Sequence, residues 1–269
     1  RVRGRKDLDD LSVPFIGEIP LAICGKKKVK SHEAHTIVVK EGSRDIMNEA
    51  FRVLRTNLEF MIGKDRSSNV IVITSFNPGS GKSFLTMNIA MSLAIKNKKV
   101  LVIDGDLRHA SASAYIHSPE VGLSNYLGGQ VDELSDIIVT DKQHPSFSFI
   151  PVGTIPPNPT ELLFNDRLQD AIHTLKQQYD VVLIDCPPVE LVADTQIIEK
   201  WADRTVFVVR AGLLERSMLP ELENIYREKK YKNMSVILNG TEGAGGRYGY
   251  RYGYRYGYGS GSYYGSSSK

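Results

Sequence analysis

The segment from Val70 to Phe84 constrains the fold of this chain more than any other, and it reads V-I-V-I-T-S-F-N-P-G-S-G-K-S-F. A short β-branched apolar run leads into a turn rich in proline and glycine, and apolar residues at helical spacing follow. Strand, glycine-rich turn and helix in this order are typical of a P-loop. The segment therefore predicts an α/β domain built around a mostly parallel sheet.

Each residue type in the turn suits the binding of phosphate. Gly79 and Gly81 let backbone N–H groups turn inward around phosphate oxygens, where a Cβ atom would obstruct them. Lys82 places a positive charge on the β- and γ-phosphates, and the Ser83 hydroxyl is placed to bind Mg²⁺. The predicted nucleotide-binding residues are consecutive: Pro78, Gly79, Ser80, Gly81, Lys82, Ser83 and Phe84.

The turn departs from the strict pattern G-x-x-x-x-G-K-[ST] at its first position, which holds Phe76 instead of glycine. An ordinary glycine-rich turn before a helix is the alternative interpretation. The buried type of strand that precedes the turn favours the P-loop.

Two further apolar runs end in aspartate. Lys99 to Asp104 is followed by Gly105 and Asp106, and Tyr179 to Asp185 resembles a Walker B strand. Ligands bind outside the carboxyl ends of parallel strands, so these carboxylates are predicted near the phosphates. There they would bind Mg²⁺ together with Ser83, or accept a proton from a hydroxyl. The alternative role for Asp104 and Asp106 is to cap a helix or form a turn. This role could explain one of the two aspartates, but it explains the pair less well.

Composition limits the classes of protein that the chain can represent. The 269 residues, 41% of them hydrophobic, suffice for one large α/β domain with appendages or for two small domains. A net charge of +3 is too small to indicate nucleic acid as a partner. Two cysteines, Cys24 and Cys186, provide no disulfide framework, which fits a reducing compartment.

The chain contains no apolar run of membrane-spanning length, and it begins with arginine rather than methionine. We therefore expect a fragment of a longer protein whose remaining part holds membrane segments.

The periodicity of apolar residues predicts the remaining elements. Residues 13–20 either add an edge strand or pack on the sheet, and residues 25–44 read as a loop. Thr160 is predicted to cap the N-terminus of a helix. The predicted helices cover 46–62, short pieces within 123–139 broken at Gly128-Gly129, 161–177 and about 215–230; the predicted strands cover 147–152, 205–210 and 234–239.

The polar face of the first of these helices carries Glu49, Arg52 and Arg55, spaced E-x-x-R-x-x-R. Three-residue spacing puts these side chains on one side of a helix, where they can pair. An exposed, salt-bridged face is the simple interpretation. The alternative is a self-association surface that meets an acidic or phosphate-lined site on a neighbouring copy.

From Gly243 onward the chain consists almost only of glycine, tyrosine, arginine and serine, so it cannot form a core and is predicted to be disordered. An adhesive aromatic segment and an RNA-binding tract are two interpretations. The third is a row of phosphoryl acceptors tethered to an ATP site, each gaining about −1.5 to −2 charges on phosphorylation. The tyrosines are Tyr248, Tyr250, Tyr252, Tyr254, Tyr256, Tyr258, Tyr263 and Tyr264.

The P-loop, the two aspartate-ending strands, the E-x-x-R-x-x-R helix and the terminal tyrosines together resemble the bacterial tyrosine kinases of capsule and exopolysaccharide export. The resemblance extends over nearly the whole chain. It implies a three-layer P-loop NTPase fold related to the MinD/ParA-type ATPases. Residues 45–242 would form the kinase domain, 1–44 a juxtamembrane lead-in packed on it, and 243–269 a disordered tail.

The resemblance also implies roles for residues and cofactors. Lys82 and Ser83 would bind ATP and Mg²⁺, Asp104 would accept the proton of the tyrosine hydroxyl, and Asp106 and Asp185 would support the metal. Strand ends near 210–212 and 239 lie at the edge where adenine binds in such a fold.

In the family that the chain resembles, the E-x-x-R-x-x-R helix assembles subunits into a ring. Each subunit's tail then reaches the active site of its neighbour, and phosphorylation loosens the ring. The domain would lie at the cytoplasmic side of the bacterial inner membrane, joined to a polysaccharide chain-length regulator or bound to a membrane activator. A tyrosine phosphatase would reverse the modification.

Two other functions remain open. ParA/MinD-type ATPases carry a signature lysine in the pattern K-G-G-x-G-K-[ST], and Asn77 at that position argues against this class. A nucleotide-dependent scaffold whose tail binds RNA or other partners is the second alternative. Formation of phosphotyrosine from ATP would separate the kinase from both.

Overall fold

The computed structural model describes residues 1–21, 35–63, 69–189 and 193–242. The eight candidate acceptor tyrosines, Cys24 and the first half of the predicted loop at 25–44 lie outside these ranges.

A single sheet forms the centre of the described chain. Its strand order is β1-β8-β7-β2-β6-β3-β5-β4, and all neighbours are parallel except β4 and β5. Because parallel strands share a direction, β2, β3, β6, β7 and β8 bring their carboxyl ends to one edge. The strands are β1 (Phe15–Pro20), β2 (Val70–Thr74), β3 (Val100–Asp104), β4 (Val139–Thr140), β5 (Phe147–Ile150), β6 (Val181–Asp185), β7 (Arg204–Arg210) and β8 (Met234–Thr241).

Helices cover both faces of the sheet. The α-helices are α1 (Ile46–Ile62), α2 (Lys82–Ala94), α3 (Leu123–Leu127), α4 (Pro159–Leu163), α5 (Asp166–Gln178), α6 (Asp194–Glu199) and α7 (Leu219–Arg227). Short 3₁₀ segments occur at Arg5–Leu8, Ser113–Ile116, Leu134–Ile137 and Arg216–Met218.

The central strand β2 explains the three-layer arrangement. All five of its residues are buried, as expected where both faces of a parallel sheet are covered. Ile71 and Ile73 pack in the cluster that contains α1 and α2, whereas Val70 and Val72 pack in the cluster that contains α3, α5 and α6. Alternate residues of β2 therefore pack into apolar layers on opposite faces of the sheet.

The N-terminal residues pack on the domain. Val2 and Val13 are buried in a third cluster with Phe207 of β7, and the Val2 N–H donates to the Leu214 carbonyl at 2.8 Å. β1 then pairs with β8, so the edge-strand alternative predicted for residues 13–20 is the one that forms.

The helix predicted over residues 46–62 has those bounds, and the Asp45 carboxylate caps it by accepting the Asn48 N–H at 2.9 Å. The helix predicted over 161–177 is wrong, because two helices occupy this region. Asn165 interrupts the run and caps α5 through the Arg167 N–H at 2.9 Å. Thr160 is not a cap: it lies inside α4, and its hydroxyl is bonded to Asp194 and Arg108.

The helix predicted over about 215–230 is also shorter than expected. A 3₁₀ turn occupies Arg216–Met218, and the α-helix covers only Leu219–Arg227. Within the described ranges, no helix has the length and apolar character needed to cross a membrane.

Candidate active site

The predicted P-loop connects β2 to α2 with the backbone geometry that its glycines make possible. Gly79 and Gly81 adopt φ of 74° and 87°, and α2 begins at Lys82 directly after them. A Cβ atom on Gly81 would lie 2.2 Å from Asn239 Nδ2, which donates to the Ser80 carbonyl at 2.9 Å. Glycine is therefore required at position 81 for conformation and for space, and the end of β8 holds the loop.

Phe76, which replaces the first glycine of the motif, belongs to the core. It is 4% exposed, and its ring lies 5.3 Å from the Phe207 ring of β7. This residue anchors the entrance of the loop to the neighbouring strand, so the departure from the motif has a packing role.

Asp185, at the end of β6, faces the first turn of α2. The Ser83 hydroxyl donates to its Oδ2 at 2.5 Å, while Oδ1 is buried and has no hydrogen-bond partner among the described residues. Burial raises the pKa of Asp185 to about 6, and the positive charge of Lys82 opposes this rise. An orphaned carboxylate oxygen beside a serine hydroxyl is a donor set that fits Mg²⁺.

Asp104 lies beside Asp185 on the adjacent strand and is fully buried. Its Oδ2 accepts the backbone N–H and the hydroxyl of Ser113, each at 2.7 Å, and its Oδ1 accepts the Asp106 N–H at 3.2 Å. Burial, together with the neighbouring charge of Asp185, raises the pKa of Asp104 to about 8.

The predicted metal set, Ser83, Asp104, Asp106 and Asp185, is thus gathered at one edge of the sheet. Across the described ranges, no group of three or more histidine, cysteine, aspartate or glutamate side chains is arranged to hold a metal by itself. Mg²⁺ usually combines one or two carboxylates with water and substrate phosphates.

A cleft of about 410 Å³ opens next to these aspartates. Ser113, which binds Asp104, and His109, whose Nδ1 lies 3.4 Å from Asp106 Oδ1, both line it. Sequence reasoning did not find this cleft, because its walls come from separate loops that carry no recognisable motif. Other lining residues are His35, Ser111, Gly153 and Ile155.

Arg210 lies at the end of β7, which is on the other side of β2 from the strands that carry Asp104 and Asp185. A Cβ atom on Gly240 would lie 2.7 Å from its Cζ, and one on Gly81 would lie 3.6 Å from its Nη1. The side chain is half-buried, and burial lowers the pKa of the guanidinium. Within the part of the chain that the structure describes, no carboxylate pairs with it. A cation in this position, beside the loop that is predicted to hold phosphates, suits an anionic ligand.

The E-x-x-R-x-x-R residues are not all on one exposed face. Glu49 and Arg52 form an exposed ion pair, whereas Arg55 is 8% exposed and donates to the Ser92 carbonyl of α2 at 3.0 Å. The expectation that all three share a solvated face is therefore wrong for Arg55. Successive helical residues are about 100° apart, so Arg55, six residues after Glu49, points about 120° away from Glu49 around the helix axis.

Comparison with known proteins agrees with this geometry. Residues 68–235 match the family model described as an AAA domain. The chain is 36% identical over 203 residues to the tyrosine-protein kinase CpsD of Streptococcus agalactiae, a match that covers 75% of this chain and 86% of CpsD. The kinase domain of the Escherichia coli tyrosine kinase ETK superimposes with a TM-score of 0.79 at 30% identity and covers 96% of this chain and 100% of that domain.

The chain belongs to the bacterial tyrosine-kinase family. It is a protein-tyrosine kinase domain of this type, with the three-layer P-loop NTPase fold predicted from its sequence. AmsA of Erwinia amylovora is 32% identical over 261 residues, which cover 91% of this chain but 35% of AmsA. The domain therefore spans about a third of the length of that relative.

The alternative ATPase class shares the fold with this kinase domain but matches less of the chain. MinD of Pyrococcus horikoshii, solved with Mg-ADP, superimposes with a TM-score of 0.51 at 25% identity over 63% of this chain and 68% of that one. The central sheet and P-loop are common to both classes.

We expect the unliganded kinase domain to lose stability as the pH rises. Because the pKa of Asp104 is raised from its usual 3.8 to about 8, the folded state binds more protons than the unfolded state between these values. The free energy of unfolding should therefore fall from about pH 4 to about pH 8, and Asp185 acts in the same direction up to about pH 6.

Melting temperatures measured in chelator between pH 5 and pH 8.5 would test this expectation. Asp104→Asn should flatten the dependence, whereas Asp136→Asn, at an exposed site, should leave it unchanged. Equal slopes in wild type and Asp104→Asn would contradict the assignment.

Proposed function

We propose that this domain transfers the γ-phosphoryl group of ATP to the tyrosine cluster of a neighbouring subunit's tail within a ring-shaped assembly. The observation that carries the proposal is the Asp104–Asp185–Ser83 arrangement beside the P-loop and the cleft, in a chain that ends in eight closely spaced tyrosines.

The residues divide the work of phosphoryl transfer. The loop N–H groups and Lys82 would hold the β- and γ-phosphates and offset the charge that develops on them. Ser83 and Asp185 would hold Mg²⁺, with Asp104 and Asp106 beside them; when bound, the metal supplies additional positive charge to the phosphates. The tyrosine oxygen forms a bond to the γ-phosphorus as the bond to the leaving ADP breaks.

Asp104 would accept the proton that the tyrosine hydroxyl loses. A carboxylate whose pKa is raised to about 8 is a stronger base, once ionised, than an ordinary carboxylate. Ser113 bonds to Asp104 and lines the cleft, which gives an acceptor ring a route toward this carboxylate. Strand β8 ends at Thr241, two residues before the predicted start of the tail at 243, at the same carboxyl edge of the sheet as the P-loop.

We also propose a wider setting, a role in capsule or exopolysaccharide synthesis and export at the cytoplasmic side of the bacterial inner membrane. The names of CpsD and AmsA as tyrosine-protein kinases support the kinase part of this setting. In a longer protein of the length of AmsA, the part that this domain does not match would hold the membrane segments. Alternatively, a separate membrane activator would replace that part. A tyrosine phosphatase would return the tail to its unmodified state.

Mass spectrometry after incubation with ATP and Mg²⁺ tests the proposal directly. We expect a ladder of added phosphates confined to residues 248–264, and none in a variant with all eight tail tyrosines changed to phenylalanine. ATP hydrolysis with an unmodified tail would favour a ParA/MinD-like ATPase instead. Phosphate restricted to the tyrosines of the folded body would contradict the proposed acceptor.

A mixing experiment separates transfer between subunits from transfer within one. An active chain truncated after Glu242 lacks acceptors, and a full-length Lys82→Met chain should lack activity. If the tail is modified in trans, the mixture phosphorylates the Lys82→Met tail although neither chain alone does so. An unmodified mixture, with wild type active, would restrict transfer to a single subunit.

Assembly should depend on Arg52 more selectively than on Arg55. Arg52→Ala removes an exposed side chain, so the free energy of unfolding should change by no more than about 1 kcal/mol while assembly and phosphorylation fall. Arg55→Ala removes buried hydrogen bonds to α2 and should destabilise the fold by about 1–3 kcal/mol.

Sedimentation velocity and denaturant unfolding measure these two effects. Arg44→Ala, an exposed arginine just before α1, is the matched control and should resemble wild type in both. If Arg52→Ala assembles and phosphorylates normally, the exposed face of α1 has no part in the ring.

A further inference from the structure

Arg108 joins three segments that are far apart in sequence. Its Nε donates to Asp194 Oδ2 at 3.0 Å, and its Nη2 donates to Thr160 Oγ1 at 2.8 Å. The Thr160 hydroxyl in turn donates to Asp194 Oδ1 at 2.7 Å. The turn after β3, the start of α4 and the start of α6 are thus held by one three-residue cluster, which we call the Arg108 clamp.

The burial of Asp194 makes the clamp costly in free energy unless its polar groups are paired. Asp194 is fully buried, and an ionised carboxylate in such a place needs both an opposite charge and hydrogen bonds. Arg108 and Thr160 supply them. Removal of Arg108 would leave Asp194 Oδ2 unsatisfied, whereas removal of the Thr160 hydroxyl would leave Oδ1 with only the longer 3.4 Å bond from Arg108 Nη2. The three segments are therefore constrained to stay together.

The backbone at Arg108 is hydrogen-bonded to Asp106. The backbone N–H groups of Arg108 and His109 both donate to Asp106 Oδ1 at 3.2 Å, and the Asp106 N–H donates to Asp104 Oδ1 at 3.2 Å. Hydrogen bonds therefore run from Asp104 through Asp106 to the backbone of Arg108, whose side chain is fixed on Asp194.

The far end of the clamp belongs to the other acidic strand. Asp194 begins α6, nine residues after Asp185 at the end of β6. Because β3 and β6 are neighbours, the clamp ties the segments that follow Asp104 and Asp185 to each other. It is suited to fixing the separation of the carboxylates at this edge of the sheet.

We propose that Arg108, Asp194 and Thr160 are positioning residues that hold Asp106 in the orientation needed for Mg²⁺-dependent phosphoryl transfer. They act through Asp106 and do not contact the reacting atoms. The inference rests on the proposed kinase function, but its consequence for Mg²⁺-dependent nucleotide binding is measurable without any tyrosine acceptor.

Arg108→Gln and Asp194→Asn test the ion pair. Each should lower kcat for tail phosphorylation, and weaken the Mg²⁺ dependence of ADP binding, by about 10- to 100-fold, the range typical of outer-shell partners of a metal site. In saturating Mg²⁺, the KM for ATP should change little. Because both residues act through one pair, the double variant should be no worse than the poorer single variant, while its melting temperature recovers.

Arg167→Gln is the matched control, because its side chain is 30% exposed against 34% for Arg108 and it pairs with Asp132, away from the P-loop. It should leave kcat and the Mg²⁺ dependence unchanged. Thr160→Val is a milder probe that keeps the shape of the side chain, and Thr160→Ser, which restores the hydroxyl, should recover the loss.

The result that overturns the clamp is specific. Folded single variants with wild-type kcat and wild-type Mg²⁺ dependence of ADP binding would remove the positioning role, as would single effects that multiply in the double variant. If wild type binds Mg-ADP but forms no phosphotyrosine, the kinase proposal fails, and the titrations of ADP with Mg²⁺ still decide the clamp.

Discussion

Replacement of Lys82 by methionine should reduce tail phosphorylation by about 10²–10³-fold, the loss expected when one preorganised electrostatic group is removed from a transition state. Lys82 is the first residue of α2 and lies beside Asp185, whose pKa its charge lowers. Phosphoryl transfer depends mainly on positioning and on neutralisation of charge, and no other lysine belongs to the predicted phosphate loop.

The fold should survive this substitution. Methionine keeps the unbranched shape of lysine, and helix propensity is almost unchanged. Quantitative mass spectrometry of the tail, with melting temperature as the check on folding, measures both outcomes. Lys96→Met, at an exposed position just beyond the same helix, is the control and should remain active. Activity within a few-fold of wild type in Lys82→Met would exclude the P-loop from the mechanism.

Asp104→Asn should lower kcat by about 10²–10⁴-fold, the usual contribution of a positioned general base. The amide cannot take up the tyrosine proton, yet its volume matches that of the carboxyl group it replaces. Nucleotide affinity measured without Mg²⁺ should remain close to that of wild type, since Asp104 is separated from the phosphate loop by strand β6.

Single-turnover phosphorylation and ADP titration distinguish this result from a binding defect. Asp136→Asn, which removes an exposed carboxylate, should behave as wild type. If Asp104→Asn keeps more than a tenth of the wild-type rate, another group accepts the proton, and Asp106, which lies 3.4 Å from the cleft-lining His109, becomes the residue to test.

Local sequence pattern predicted those parts of the site that reside in continuous segments. The β-branched run of β2, the glycines at 79 and 81 and the lysine at 82 are neighbours in sequence, so their chemistry is readable without tertiary information. Asp104 and Asp185 were predicted as strand-end residues, and their adjacency in the sheet follows from parallel pairing.

Other features depend on contacts between distant segments. Thr160 had the sequence context of a helix cap, but its hydroxyl is bonded to Asp194, 34 residues away. Arg55 had the spacing of an exposed motif, but α2 packs over its position on α1. Phe76 departs from the P-loop motif, and its packing against Phe207 gives the physical reason.

By itself, the sequence determined the α/β class, the phosphate loop, the acidic strand ends and the resemblance to the bacterial tyrosine kinases. These follow from periodicity and from residue types at short spacing, which depend on the local backbone alone. The tertiary structure alone decided the cleft, the packing of Phe76 against Phe207 and the Arg108 clamp. Each of these requires side chains from separate segments within a few ångströms of each other, and no local pattern specifies which segments meet.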